Sequence, residues 1–210
     1  MFLEIFIPAF VTFFVAIDPP GVAPIFAGLA EGRDPAFKRR MALQSVFAAL
    51  IILVIFAFAG EPLLSNLGIT LDAFRVAGGV LLLLIAVDMV FEKQTKRRRA
   101  RADKFSEQHA DEEDFSIFPM AVPMIAGPGA ITALLLFMGN YAGDPLAQGI
   151  VIGTLVTVLL LTFVCLVGAA KITEWVGPAI TAAFTRVLGI ILAALAIQYI
   201  FDGVGAFLNA

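Results

Sequence analysis

Residues 17–24 read IDPPGVAP and interrupt an apolar segment that extends from about residue 2 to residue 29. Proline removes a backbone N–H and clashes with the preceding helical turn, and glycine adds freedom where a helix needs rigidity. A carboxylate, three prolines and a glycine within residues 18–24 therefore predict a helix that is broken partway along. The composition of the whole chain indicates which solvent surrounds this broken helix.

That solvent is lipid. Of the 210 residues, 60% are hydrophobic and 15% are charged, whereas soluble domains carry about 25% charged residues. A domain of this size still exposes a large share of its surface, so the apolar surplus cannot all be buried inside the protein. A soluble globular protein is excluded, and at about 20 residues per spanning helix the chain has room for about six or seven spans.

Six apolar segments of spanning length are separated by charged or Gly/Pro-rich turns. We expect a helix in each, because only a helix satisfies its own backbone in lipid. Twelve of the fourteen Lys and Arg residues lie in loops that a six-span chain places on one side, Arg186 lies near the end of the sixth span on that same side, and Arg75 is the exception. Since basic loops stay in the cytoplasm, both termini are expected outside, on the periplasmic face, and residues 93–115 inside. The predicted spans are at about 2–29, 41–60, 73–92, 116–138, 148–170 and 182–208.

The two halves of the chain resemble each other. A shift of 108 residues aligns the break at residues 17–21 with the sequence IAGPG at residues 125–129. A shift of 110 residues aligns the third span with the sixth without a gap. The residues that coincide in these two spans include Gly79 with Gly189, Leu82 with Leu192, and Ala86 with Ala196.

Each half holds three spans, an odd number, so the two halves run in opposite orientations through the membrane. This inverted repeat is common in secondary transporters, whose sites lie at broken helices between the repeats. We predict an all-α, polytopic membrane protein of six transmembrane helices, with helices 1 and 4 broken. Its parts are a first three-helix repeat (1–92), a polar cytoplasmic linker (93–115) and a second, inverted repeat (116–210).

The two breaks form the candidate site. Pro beside Gly suits the start of a half-helix, whose free N–H groups and positive dipole end attract an anion. Asp18 is the sharpest candidate, because an ionisable group inside a membrane is a functional-site hypothesis by default. A pair of packing kinks is the alternative, since Gly and Pro are common in membrane helices. The residues at the breaks are Asp18, Pro19, Pro20, Gly21, Pro24, Gly127, Pro128 and Gly129.

Catalytic and metal chemistry find little support in the sequence. The single histidine, His109, lies in the polar linker, and the single cysteine, Cys165, lies in an apolar run. We therefore expect no metal site, no cofactor and no enzyme, and no nucleic-acid partner. An intramembrane enzyme acting on a lipid carrier or a peptide is the less favoured alternative. The spans offer no Ser–His pair, and Asp18 and Asp88 lack the GxGD context of aspartyl intramembrane proteases.

Three stretches resemble the MarC family (UPF0056), integral membrane proteins of about this length. They are residues 18–26 (DPPGVAPIF), residues 125–132 (IAGPGAIT) and residues 75–79 (RVAGG). The resemblance adds Arg75 and Thr132 to the candidate site. It implies a bacterial inner-membrane protein of the LysE-like transporter superfamily, in which some relatives are described as neutral amino acid transporters.

We therefore expect a secondary transporter of small solutes, neutral amino acids or related metabolites, that works by alternating access of the two repeats. The carboxylate of an amino acid would bind at the half-helix N-termini near Gly21 and Gly129. Asp18 would face the ammonium group or a coupling ion, a proton or sodium. Uptake and export fit the sequence equally, and the expected partners are the bilayer, the solute and that ion. A channel or an accessory membrane scaffold is the alternative.

Overall fold

A computed structural model describes residues 1–91, 93, 97–100, 102–103 and 114–208, with the backbone alone at residues 61, 170–176 and 178. The regular secondary structure of these residues is helical, and they contain no strand. The predicted all-α class is confirmed.

Residues 1–91 fold into four helices. The predicted break divides the first span in two, because Asp18 adopts a left-handed conformation (φ 56°, ψ 62°) between the two helices. The next two helices begin at side-chain caps, as is usual for free helix amides: the Asp34 carboxylate accepts from Phe37 N at 2.7 Å, and Thr70 Oγ1 accepts from Ala73 N at 3.2 Å. The four helices are α1 (Phe2–Ile17), α2 (Pro19–Leu29), α3 (Pro35–Asn66) and α4 (Leu71–Val90).

The second half begins with an irregular, proline-containing segment, Ser116–Ile125, which leaves helical geometry at Phe118 and Val122. The helix after the second predicted break is bent by 56° from this segment. The last helix is itself broken at Gly177 (φ 71°), which lies between the fifth and sixth predicted spans, where we expected a turn. Pro178 follows it, and the residue before a proline is driven out of helical geometry. The three helices are α5 (Pro128–Asn140), α6 (Pro145–Val167) and α7 (Ala169–Leu208).

Five helical stretches of the described chain are long and apolar enough to cross a membrane. The bent pair of Ser116–Ile125 and α5 makes a sixth if it is counted as one span. Each predicted span overlaps one of these six. The five stretches are Phe2–Leu29, Pro35–Gly60, Leu71–Val90, Pro145–Val167 and Ala179–Leu208.

The helices pack into two units. One unit, which we call the four-span core, is built on a large buried cluster shared by α1, α2, α3, α5, α6 and the segment Ser116–Ile125. The other unit is the α4–α7 pair, the most extensive helix contact in the described chain, with its own cluster around Leu82, Met89 and Leu192. The two units also contact each other, through α5 with α4 and through α2 with α7, and Ala169 at the start of α7 belongs to the cluster of the four-span core.

Two glycines bring the backbones of α4 and α7 close together. A Cβ added to Gly79 would lie 2.7 Å from Ala196 O, and a Cβ added to Gly189 would lie 3.1 Å from Ala86 O. Small residues allow such close approach between membrane helices. The earlier α4 residue, Gly79, meets the later α7 residue, Ala196, whereas the later α4 residue, Ala86, meets the earlier α7 residue, Gly189. The two helices therefore run antiparallel.

A methyl group at either glycine is expected to push α4 and α7 apart. Gly79→Ala and Gly189→Ala should each lower the free energy of unfolding by about 1–3 kcal/mol, the usual cost of overpacking, measured by thermal or SDS-induced unfolding in detergent. Gly153→Ala in α6 is the matched control, because nothing lies within 4 Å of a Cβ at that position. Equal stability of the three variants would contradict this packing.

Candidate functional site

The first break is organised by Asp18, whose side chain is 1% exposed. Its left-handed backbone costs a residue other than glycine about 1–2 kcal/mol. The carboxylate Oδ1 accepts from Gly21 N at 3.1 Å and caps α2. The backbone N–H of Asp18 donates to Phe14 O at 2.9 Å and closes α1. One residue therefore ends one helix and begins the next.

The prolines explain why the last carbonyls of α1 are released. Pro19 and Pro20 occupy the first positions of α2, where a missing N–H is tolerated. The same missing groups deprive the end of α1 of the donors that would continue the helix. Gly21 N donates to Asp18 O at 3.0 Å and to the Asp18 carboxylate. Ile17 O is therefore left for a donor from outside the helix.

Position 21 admits only glycine in this arrangement. A Cβ there would lie 2.0 Å from Asp18 Oδ2, far inside the contact distance of two atoms. The absence of a side chain is what allows the carboxylate to fold back over the start of α2. In this conformation the Gly21 amide serves Asp18, so it is not the amide that a solute carboxylate would find available.

Arg98 supplies the donor that Ile17 O lacks. Its Nη1 lies 3.0 Å from Asp18 Oδ2, and its Nη2 donates to Ile17 O at 3.3 Å. The Arg98 side chain is 7% exposed. This position differs from the polar cytoplasmic linker that we expected for residues 93–115, because Arg98, Ala102 and Phe115 are buried among the described residues of that range. The guanidinium compensates a carboxylate that burial would otherwise leave without a charged partner.

The second break presents a different half-helix start. Gly127 is the N-cap of α5, no side chain caps the helix, and Pro128 fills the first position. The first helical hydrogen bond is donated by Ile131 N to Gly127 O at 3.1 Å. The amides of Gly129 and Ala130 precede that bond, so they lie among the free donors at the positive end of α5. Unlike α2, α5 does not have its start occupied by a carboxylate of its own.

The two breaks lie beside each other. A Cβ added to Gly129 would lie 3.7 Å from Ala16 Cβ, two residues before Asp18, and 2.9 Å from Ile85 Cδ1 of α4. α1 has 16 residues, so at 1.5 Å per residue this meeting point is about 24 Å along the helix. The start of α5 therefore lies against the last turn of α1 and against α4, at the boundary between the four-span core and the α4–α7 pair.

Thr132 belongs to this region and Arg75 does not. Thr132 is buried one turn along α5, and its Cγ2 would lie 2.9 Å from a Cβ on Gly78. Arg75 is at the opposite end of α5, where Nε donates to Asn140 Oδ1 at 2.9 Å and Nη1 pairs with Asp72 at 2.7 Å. Pro24 lies inside α2, one turn beyond the break.

The site therefore combines one carboxylate, one guanidinium, a released carbonyl at the negative end of α1 and an uncapped positive end of α5. Sequence reasoning missed Arg98. The one available signal was that a buried carboxylate needs a partner, but nothing local separates Arg98 from its six basic neighbours in residues 93–104. Among the residues that the structure describes, no group of three His, Cys, Asp or Glu side chains is arranged to hold a metal ion.

Comparison with known proteins gives one consistent result. A family model described as "MarC family integral membrane protein" matches residues 3–208. A UPF0056 membrane protein of Methanocaldococcus jannaschii is 37% identical over 209 residues, covering 99% of this chain and 100% of the relative. One from Buchnera aphidicola is 31% identical over 99% of this chain and 95% of the relative, and YhcE of Escherichia coli is 28% identical over 93% and 89%. No solved structure matches.

Proposed function

Because this chain belongs to the MarC family of integral membrane proteins, we propose that it is a carrier of small solutes with its binding site at the two helix breaks. The observation that carries the proposal is the buried Asp18 at a break that lies against the uncapped start of α5. Broken helices with a charged group between them are the usual site of secondary transporters. Membership of the LysE-like superfamily stays a prediction.

The carrier would be built as an inverted repeat of three spans plus three. Its strongest support is a reciprocal contact: Gly79 meets Ala196, and their equivalents at a shift of 110, Gly189 and Ala86, meet each other. A two-fold axis between the repeats produces such mirrored pairs. The remaining contacts agree, since α1 and α2 pack on α6 as the segment Ser116–Ile125 and α5 pack on α3.

The repeats interlock, and this changes the proposed motion. The first span packs mainly on α5, α6 and α7, all from the other half of the chain. Two such halves cannot rock apart as independent bodies. We therefore propose that alternating access occurs by movement of the α4–α7 pair against the four-span core, with the breaks at their boundary.

The geometry favours a solute with two unlike ends, such as a neutral amino acid or a related metabolite. Its carboxylate would bind the amides of Gly129 and Ala130 at the start of α5. Its ammonium group, or a coupling proton or sodium ion, would bind Asp18. Thr132 is one turn away on α5 and is the one predicted site residue with a hydroxyl group.

The proposed location is the inner (cytoplasmic) membrane, with both termini outside and residues 93–115 in the cytoplasm. The distribution of basic residues supports this orientation through the positive-inside rule. Fusing a phosphatase active only outside the cytoplasm after residue 208, and separately within residues 104–113, tests it. We expect activity from the first fusion alone, and the reverse pattern would contradict the orientation.

Counterflow in proteoliposomes tests the carrier proposal. Vesicles preloaded with each of a panel of unlabelled neutral amino acids are diluted into the same labelled amino acid, and transient accumulation is followed. A carrier gives saturable accumulation that exceeds equilibrium for at least one solute. A channel gives equilibration without that overshoot, and a scaffold or a lipid-directed enzyme gives no uptake above empty vesicles, so either of these results contradicts the proposal.

A further inference from the structure

Two consecutive arginines bind carboxylates on different packing units. Arg98 pairs with Asp18 in the four-span core, whereas Arg97 pairs with Asp88 of α4. Ala102 from the same stretch is 5% exposed and belongs to the buried cluster of the four-span core. The described part of the stretch is therefore docked against both units, directly over the first break.

The end of the predicted linker is also docked on the four-span core. The Phe115 ring packs edge-on against Phe26 of α2 at 5.6 Å between centroids, and against Phe37 of α3 at 6.2 Å. Phe115 is buried in the cluster of the four-span core. Phe115 therefore docks on the later part of α2 and the start of α3, whereas Arg98 docks at the break where α2 begins.

The oxygens that hold Arg98 have the character of a cation site. Asp18 Oδ2 carries negative charge, and Ile17 O is a released carbonyl at the C-terminal, negative end of α1. Carboxylates and carbonyls at broken helix ends are the groups that bind coupling cations in secondary transporters. The guanidinium fills this place as a cation carried by the protein itself.

We propose that Asp18 Oδ2 and Ile17 O form a binding site for a monovalent cation or an ammonium group, and that Arg98 is its tethered competitor. The inference deepens the proposed function, on which it rests. When Arg98 leaves, the cation takes its place at the two oxygens. The carboxylate therefore keeps a positively charged partner throughout the exchange. Because Arg97 pairs with Asp88 of α4, the departure of the neighbouring Arg98 is coupled to the position of the α4–α7 pair.

Cation-dependent stability in detergent tests the competition without any transport. Arg98→Gln removes the competitor, so sodium or methylammonium should raise its melting temperature by about 3–6 °C relative to choline at ten times the dissociation constant. The wild type should respond less, because Arg98 occupies the site. Arg99→Gln, the exposed neighbour, should behave as wild type. Adding Asp18→Asn to Arg98→Gln should remove the response.

Guanidinium has the shape of the arginine head group, so it tests whether the two oxygens form a general cation site or only a structural ion pair fitted to arginine. If Arg98→Gln is stabilised by guanidinium alone, or by none of the three cations, the proposal is overturned. Persistence of the sodium or methylammonium response in the Asp18→Asn/Arg98→Gln variant would overturn it as well. Cation binding without counterflow would refute the carrier alone, and counterflow without cation binding would refute this site alone.

A second measurement tests the competition in a protein that retains Arg98, so it applies even if Arg98→Gln does not fold. Ala102→Cys in a Cys165→Ser background places the only thiol where Ala102 is buried. Sodium or methylammonium should accelerate its labelling by a hydrophilic maleimide several-fold over choline, because each displaces Arg98 and undocks the stretch. Labelling that is unchanged by both cations would overturn the competition.

Discussion

Asp18→Asn and Arg98→Gln are each expected to lower the free energy of unfolding by about 3–5 kcal/mol, the cost of leaving one partner of a buried ion pair alone. The two side chains are 1% and 7% exposed and lie 3.0 Å apart. At this depth of burial, bulk solvent does not reach either charge to replace its partner. The measurement is thermal or denaturant unfolding of the detergent-solubilised protein, with the double variant completing the cycle.

The double variant distinguishes a coupled pair from two independent losses. Because it leaves no unpaired buried charge, it should be more stable than the sum of the single effects predicts, by at least about 1 kcal/mol. Arg97→Gln and Asp88→Asn form a matched cycle within the same protein. Arg97 is 66% exposed, and exposed pairs contribute about 0–1 kcal/mol. Additive effects in the Asp18–Arg98 cycle would contradict the buried pair.

Gly129→Val is expected to reduce solute exchange at least about tenfold, the loss that follows when one charge-assisted hydrogen bond of the site is blocked. A Cβ at this position already lies 2.9 Å from Ile85 Cδ1, and the second branch of valine would crowd the amides at the start of α5. Counterflow is measured on monodisperse protein whose melting temperature confirms folding.

Gly153→Val provides the matched substitution for that experiment. It makes the same chemical change in α6 at a position with open space around the Cβ. Exchange by this variant should stay near the wild-type rate. Equal exchange by the two valine variants would show that the start of α5 is not part of the solute site.

The features predicted from the sequence are those that short stretches encode. Pro19, Pro20 and Gly21 locate the first break, and Gly127 with Pro128 locates the second, because the loss of a helical N–H acts within one turn. The spans follow from lengths of apolar sequence in the same way. These local rules explain why each predicted span overlaps a helix or helix pair, although α3 extends beyond its predicted span at both ends and α7 begins earlier than predicted.

The features that were missed depend on contacts distant in sequence. Arg98 is 80 residues from Asp18, and only the folded packing selects it from the basic residues around it. The hydropathy of the sequence also does not reveal that the two halves interlock, because in lipid each apolar helix face can pack on several others. Arg75 was included through a family motif, and its partners Asp72 and Asn140 place it at the end of α5 away from the breaks.

Counterflow by Asp18→Asn tests the central claim, that the charged break is the solute site, most directly. Asp202→Asn in α7 is the matched control, an exposed aspartate remote in sequence from both breaks. The Asp18→Asn/Arg98→Gln variant keeps the comparison valid if the single variant is too unstable to reconstitute. We expect exchange at least about tenfold below wild type in both Asp18 variants, and near wild type in Asp202→Asn. Wild-type exchange in the Asp18 variants would contradict the account.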